Sequence, residues 1–156
     1  TRLIGLNLSA GRPNRIWPDD KAVDLCRRMT QEGHDHVIVI AVPADIARAE
    51  AVAAQVGGLT RAVPPGLSLP EVSALISRLT LLVSPDTSLI HIARSFQVPV
   101  VGLYNRATKN FRRWQPYRQP DGAVVGNDID TIADITVDEV FGRVQMVLNR
   151  VAGERT

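Results

Sequence analysis

A single cysteine among 156 residues excludes an internal disulfide, and its setting beside Val23, Leu25 and Met29 marks Cys26 as a helix core residue, not a nucleophile. No apolar run approaches the roughly 18 residues that a membrane span requires. The first residues also lack the basic-then-apolar order of a secretory signal, so a cytoplasmic setting is expected. Charge is nearly balanced, with 18 basic against 16 acidic residues, which excludes a supercharged or disordered chain and calls for no nucleic-acid partner. Internal repeats and low-complexity segments are missing. So is G-x-G-x-x-G: the first strand-to-helix turn reads Ser9-Ala-Gly-Arg-Pro13, which disfavours a dehydrogenase-type dinucleotide site.

What is present is 45% hydrophobic residues, enough for one domain spanning residues 1–156 with a substantial core. Apolar strand patterns alternate with helical ones: Leu3–Leu8, then 19–32, His36–Val42, 44–56, a weak strand around Leu59–Val63, Leu81–Ser84 and Val98–Tyr104. That alternation predicts βαβ units on a parallel sheet, a Rossmann-like three-layer α/β sandwich. Ser68 with Glu71 and Thr136 with Glu139 each form the S/T-x-x-E capping box of a helix start. The last helix is expected from Val137 to about Arg150, with Val137, Val140, Phe141, Val144 and Val147–Leu148 as its buried stripe. Asn105–Gly122 is the one long irregular stretch. The chain opens on Thr1 with a strand pattern from Leu3, so a preceding domain is expected.

Ligands of open parallel sheets bind beyond the carboxyl ends of the strands, which directs attention to the segment Leu81-Leu-Val-Ser-Pro-Asp-Thr-Ser-Leu-Ile-His91. A buried strand there turns at Pro85 into a helix expected to begin at Asp86–Thr87. Its small hydroxylic first residues leave backbone N–H groups and the positive dipole end open to a phosphate. Thr87 and Ser88 can add hydroxyl donors. His91, four residues after Thr87, is expected on the same helical face. Asp86 is awkward beside a diphosphate unless it caps the helix or points at sugar hydroxyls.

Asp86-Thr-Ser-x-x-His91, with the downstream Val98-Pro-Val-Val-Gly-Leu-Tyr104, resembles the Asp-Thr-Gly-x-x-His signature of glycosyltransferase family nine, the heptosyltransferase family. Ser88 stands where the family has glycine. The likeness extends to Gly5-Leu-Asn-Leu-Ser-Ala10 with Arg15-Ile-Trp-Pro18, where Arg15 takes the family's basic place, and to Leu67-Ser-Leu-Pro-Glu71, where Leu67 takes the apolar place against adenine. Tyr104-Asn-Arg106 matches only in part. The resemblance implies the carboxy-terminal, donor-binding half of a GT-B enzyme that transfers heptose from ADP-heptose, or a related ADP-sugar, to a lipid-linked saccharide of the lipopolysaccharide core with inversion. The acceptor-activating carboxylate would lie in an amino-terminal domain, and the enzyme would work at the inner face of the inner membrane. It further implies that Ser9, Arg15, Thr87 and Ser88 meet the diphosphate, with Arg15 stabilising the leaving group, that Asp86 and His91 orient the sugar and the helix start, and that neither metal nor cofactor is needed.

Other readings stay open. The Asp86–His91 segment alone also suits a capped core helix, and Trp17 suits a packing residue. Asp128-Ile-Asp130 imitates a metal-binding D-x-D motif but is better read as a solvated turn, and His34-Asp-His36 as the turn into the second strand. Arg106, Lys109, Arg112, Arg113 and Arg118 face either phosphates, an anionic acceptor at a membrane surface, or solvent. Trp114 and Tyr117 either stack on sugar or anchor the loop. A degenerate interaction module and another nucleotide-binding enzyme are the competing functions.

Overall fold

The computed structural model describes residues 1–107 and 115–156. Six strands, β1 (Leu3–Asn7), β2 (His36–Ile40), β3 (Thr60–Ala62), β4 (Leu81–Pro85), β5 (Val100–Tyr104) and β6 (Ala123–Val125), form one sheet in the order β3-β2-β1-β4-β5-β6. All neighbours are parallel. The order reverses at β1, which pairs with β2 on one side and β4 on the other.

The central strands are buried on both faces, as their apolar runs require. Ile4, Leu6, Val37, Val39, Leu81, Val83, Val101 and Leu103 join one core cluster, and Ile40, Leu82, Val100 and Tyr104 the other. The first is covered by α1 (Asp19–Gln31), α2 (Ile46–Val56) and the last helix, α5 (Val137–Glu154); the second by α3 (Leu69–Ile76) and α4 (Ser88–Ser95). Gly5 lets the second face close, because a Cβ there would fall 2.5 Å from Leu79 Cδ1. Gly102 has the same part for Tyr104, whose ring folds back to within 2.6 Å of where a Cβ would stand.

Both expected capping boxes form, Ser68 with Glu71 at α3 and Thr136 with Glu139 at α5. Two features depart from expectation. β6 emerges at Ala123–Val125, just beyond the irregular stretch and too short to show a period between Gly122 and Gly126. And α5 runs on to Glu154 instead of ending near Arg150. No described helix is long and apolar enough to cross a membrane. Lys109, Arg112, Arg113 and Trp114 lie outside the described residues.

Candidate donor-binding site

The sheet reversal leaves a crevice beyond the carboxyl ends of β1 and β4, the place where such sheets bind ligands. A cavity of about 550 Å³ opens there. One wall is polar and carries Asn7, Ser9, Arg15, Asp86, Thr87 and Ser88. The other is apolar, formed by Ile40 at the end of β2 and Val42 beyond it, Ile46 at the start of α2, and Val63, Leu67 and Val72 around α3. Six of the seven residues singled out from sequence therefore meet in one place.

His91 is the exception. It lines a different cavity, on the outer side of α4, although its charge is felt by Asp86. The physical reason is where the helix begins. Thr87 is an extended N-cap (φ −144°) and α4 starts at Ser88, so Thr87 and His91 are not two residues of one helical face.

The polar wall is organised by Asn7, at the buried end of β1. Its Nδ2 donates to Ser9 O (3.0 Å), Ser84 Oγ (3.0 Å) and Thr87 Oγ1 (3.4 Å), and its Oδ1 accepts from Ser9 N (3.1 Å). This amide ties β1 to β4 and to the cap of α4 at once. The hydroxyl protons are consequently spoken for. Ser84 Oγ donates to Pro85 O, so Thr87 must supply the proton of the 3.2 Å Ser84–Thr87 contact, while its oxygen accepts from Leu89 N. Ser9 Oγ donates to Asp45 Oδ2 (2.8 Å) and accepts from Val42 N (2.9 Å). The expected hydroxyl donors Ser9 and Thr87 are thus builders of the wall. Ser88 is different: exposed at the first position of α4, it lines the cavity and its N–H has no intrahelical partner.

Arg15 closes a 3-10 turn, Pro13–Arg15, with its Nη1 3.4 Å from Asp86 Oδ2. The turn is braced by a distant loop. Asn14 Nδ2 donates to Asp130 O (2.8 Å), Trp17 Nε1 to Ile135 O (3.0 Å), and Lys21 Nζ to Ala133 O and Ile135 O. Trp17 is accordingly a buried anchor. Burial pushes the Asp86 carboxyl above the ordinary aspartate value, against the pull of Arg15 and His91, and its Oδ2 has no hydrogen-bond partner. The neighbouring Tyr104 hydroxyl is pushed up as well, by burial and by the Asp86 charge.

Residues 1–142 match the family model of glycosyltransferase family 9 (heptosyltransferase), which covers most of the chain. The chain belongs to glycosyltransferase family 9. Over 57 residues, 36% of this chain and 16% of the relative, it is 42% identical to a lipopolysaccharide core heptosyltransferase of Haemophilus influenzae. Its fold is similar to that of a family 9 glycosyltransferase from Veillonella parvula, with a TM-score of 0.81 and 20% identity over 96% of this chain and 47% of that one. It is also similar to the ADP-heptose lipopolysaccharide heptosyltransferase II of E. coli, with a TM-score of 0.80 and 21% identity over 97% and 47%. The chain spans less than half the length of these relatives.

Within this family 9 chain, Asn7 and Asp45 also belong to the candidate site, Asn7 lining the cavity and Asp45 holding Ser9. Both act through partners 36 to 80 residues away, and no local motif announces them. Only the position of Asn7, a polar residue closing an apolar strand, hints at a role. Asp128 and Asp130 form a turn, with Asp128 Oδ1 accepting from Asp130 N (2.7 Å) and Thr131 N (3.1 Å). Asp35 pairs with Arg2 in the turn before β2, away from the cavity. Among the described residues no three His, Cys, Asp or Glu side chains gather to hold a metal.

Proposed function

We propose that this chain is the carboxy-terminal, donor-binding half of a glycosyltransferase that takes heptose or a related sugar from an ADP-sugar and delivers it, with inversion, to a lipid-linked saccharide of the lipopolysaccharide core. The observation that carries the reading is the division of the cavity into an apolar slot beside Leu67 and a polar wall beside Arg15 and Ser88. A nucleotide base fits the first and a diphosphate the second.

On this reading the Arg15 guanidinium and the Ser88 N–H face the leaving diphosphate, where negative charge grows as the sugar–phosphate bond breaks. Asp86 now has a consistent place. The Arg15 guanidinium beside it offsets its repulsion of a diphosphate, and its place in the polar wall suits a contact with the sugar. The base that activates the acceptor belongs to the other half of the enzyme, and transfer takes place in the cytoplasm at the membrane face.

Calorimetric titration with ADP, UDP and NAD tests the proposal. ADP is expected to bind best, and Arg15→Ala to weaken it about tenfold or more, the loss of one charge-assisted contact. Preference for NAD, or ADP binding indifferent to Arg15→Ala, would refute it.

A further inference from the structure

A second cavity, of about 1290 Å³, lies between the outer side of α4, the 115–121 segment and the end of α5, and shares no lining residue with the first. Its charges do not balance. Arg94, Arg118, Arg150 and Arg155 line it against two carboxylates, Asp121 and Glu154. Arg150 occupies both carboxylates, at 2.7 and 2.8 Å. Arg94, Arg118 and Arg155 form no ion pair among the described residues.

One of these cations is held in place. Arg94 is half-buried; its Nε donates to Tyr117 O (2.9 Å) and its Nη1 to Val98 O (3.0 Å), which fixes the guanidinium plane against the peptide that leads into Arg118. Burial, together with the charge of Arg150, lowers the Arg94 pKa against the pull of Asp121, so like charges are crowded here. Arg118 adopts a left-handed backbone (φ 53°), rare for a residue with a side chain, and lies 5.1 Å over the exposed Tyr117 ring. The floor is rigid, because Gln119 pairs with both the N–H and the carbonyl of Val100 at 2.8 Å. A strained backbone at Arg118 and guanidiniums without an ion-pair partner cost stability, and an anion between them would offset that cost.

We propose that this cavity is a phosphate-binding subsite in which Arg94 and Arg118 grip a phosphate group, either free in solution or carried on a lipid headgroup. The inference is independent of the donor-site reading. The volume leaves room for the body that bears the phosphate.

The test uses the Arg15→Ala chain, so that the first cavity contributes least, titrated with inorganic phosphate and followed by amide NMR. Shifts are expected in residues 115–121 and around Gln97, with binding about tenfold weaker in Arg118→Ala and largely kept in Arg118→Lys. Because Arg94 also braces the fold, Arg118 carries the test, with thermal melts confirming that its variants fold. Sedimentation with vesicles of phosphatidylcholine alone or mixed equally with phosphatidic acid separates the two sources. Retention by the acidic vesicles that Arg118→Ala abolishes assigns the phosphate to a headgroup, and phosphate shifts without retention assign it to a soluble ligand. Absence of both, or effects that Arg118→Ala leaves unchanged, would overturn the proposal.

Discussion

Three of the described helices begin with a hydroxylic cap, and α3 and α5 contrast with α4. At α3 the Ser68 side chain accepts from Glu71 N while the Glu71 carboxylate returns to Ser68 N and Oγ. Thr136 and Glu139 repeat the arrangement at α5. Such starts are closed, with cap and charge supplied from within. At α4 the Thr87 cap serves only Leu89 N, the third helical residue is the fully buried Ile90, and no acidic residue stands in the first turn. With no acid in that first turn the positive helix end stays open, which suits the proposed diphosphate.

The comparison breaks most heavily at Asn7, whose amide has no counterpart at the other two starts. Asn7→Leu would orphan Ser9 N inside the protein and cut the tie between β1 and β4. Unfolding in urea should register a loss of roughly 2–3 kcal/mol, together with loss of ADP binding. An intact ADP site in this variant would mean that the wall does not depend on its amide. Next comes Ser88→Asp, which supplies α4 with the acid it lacks. Melting temperature should hold or rise slightly, since an acid suits a helix N-terminus by about 0.3–1 kcal/mol. ADP affinity should fall about tenfold through repulsion; undiminished affinity would place the diphosphate elsewhere.

Thr136→Ala is the complementary case, costing about 1 kcal/mol of stability and leaving ADP affinity unchanged. The smallest effect is in carboxyl titration followed by NMR. Hydrogen bonds from Ser68 hold Glu71 below its ordinary value, whereas burial holds Asp86 above its own. The Glu71 contribution to stability is therefore present above the unfolded-state pKa and fades as pH falls through the lowered one. That of Asp86 is present in acid and is lost as pH rises through the raised one. Titration of both at ordinary values would erase the distinction.

The sheet was legible because strands buried on both faces announce themselves as apolar runs, and α3 and α5 because their caps are local. β6 was not, since three residues beside two glycines carry no period. At the site, Arg15, Leu67, Asp86 and Ser88 were readable from the family resemblance and do meet in one cavity. The limits came from two sources. Hydroxyl accounting needs coordinates, so Ser9 and Thr87 looked like free donors when their protons are committed to Asp45 and Ser84. And the shared face expected for Thr87 and His91 fails because Thr87 precedes the helix, so that His91, though part of the family signature, lines the other cavity.

The brace of the Arg15 turn by Asp130, Ala133 and Ile135 bears on the order of assembly. The apolar wall is made from residues 40 to 72, close in sequence, and can form while the chain is still growing. The cationic wall waits for a segment more than a hundred residues downstream. Contacts of such long separation form late, so the apolar slot can assemble before the wall that carries Arg15 does.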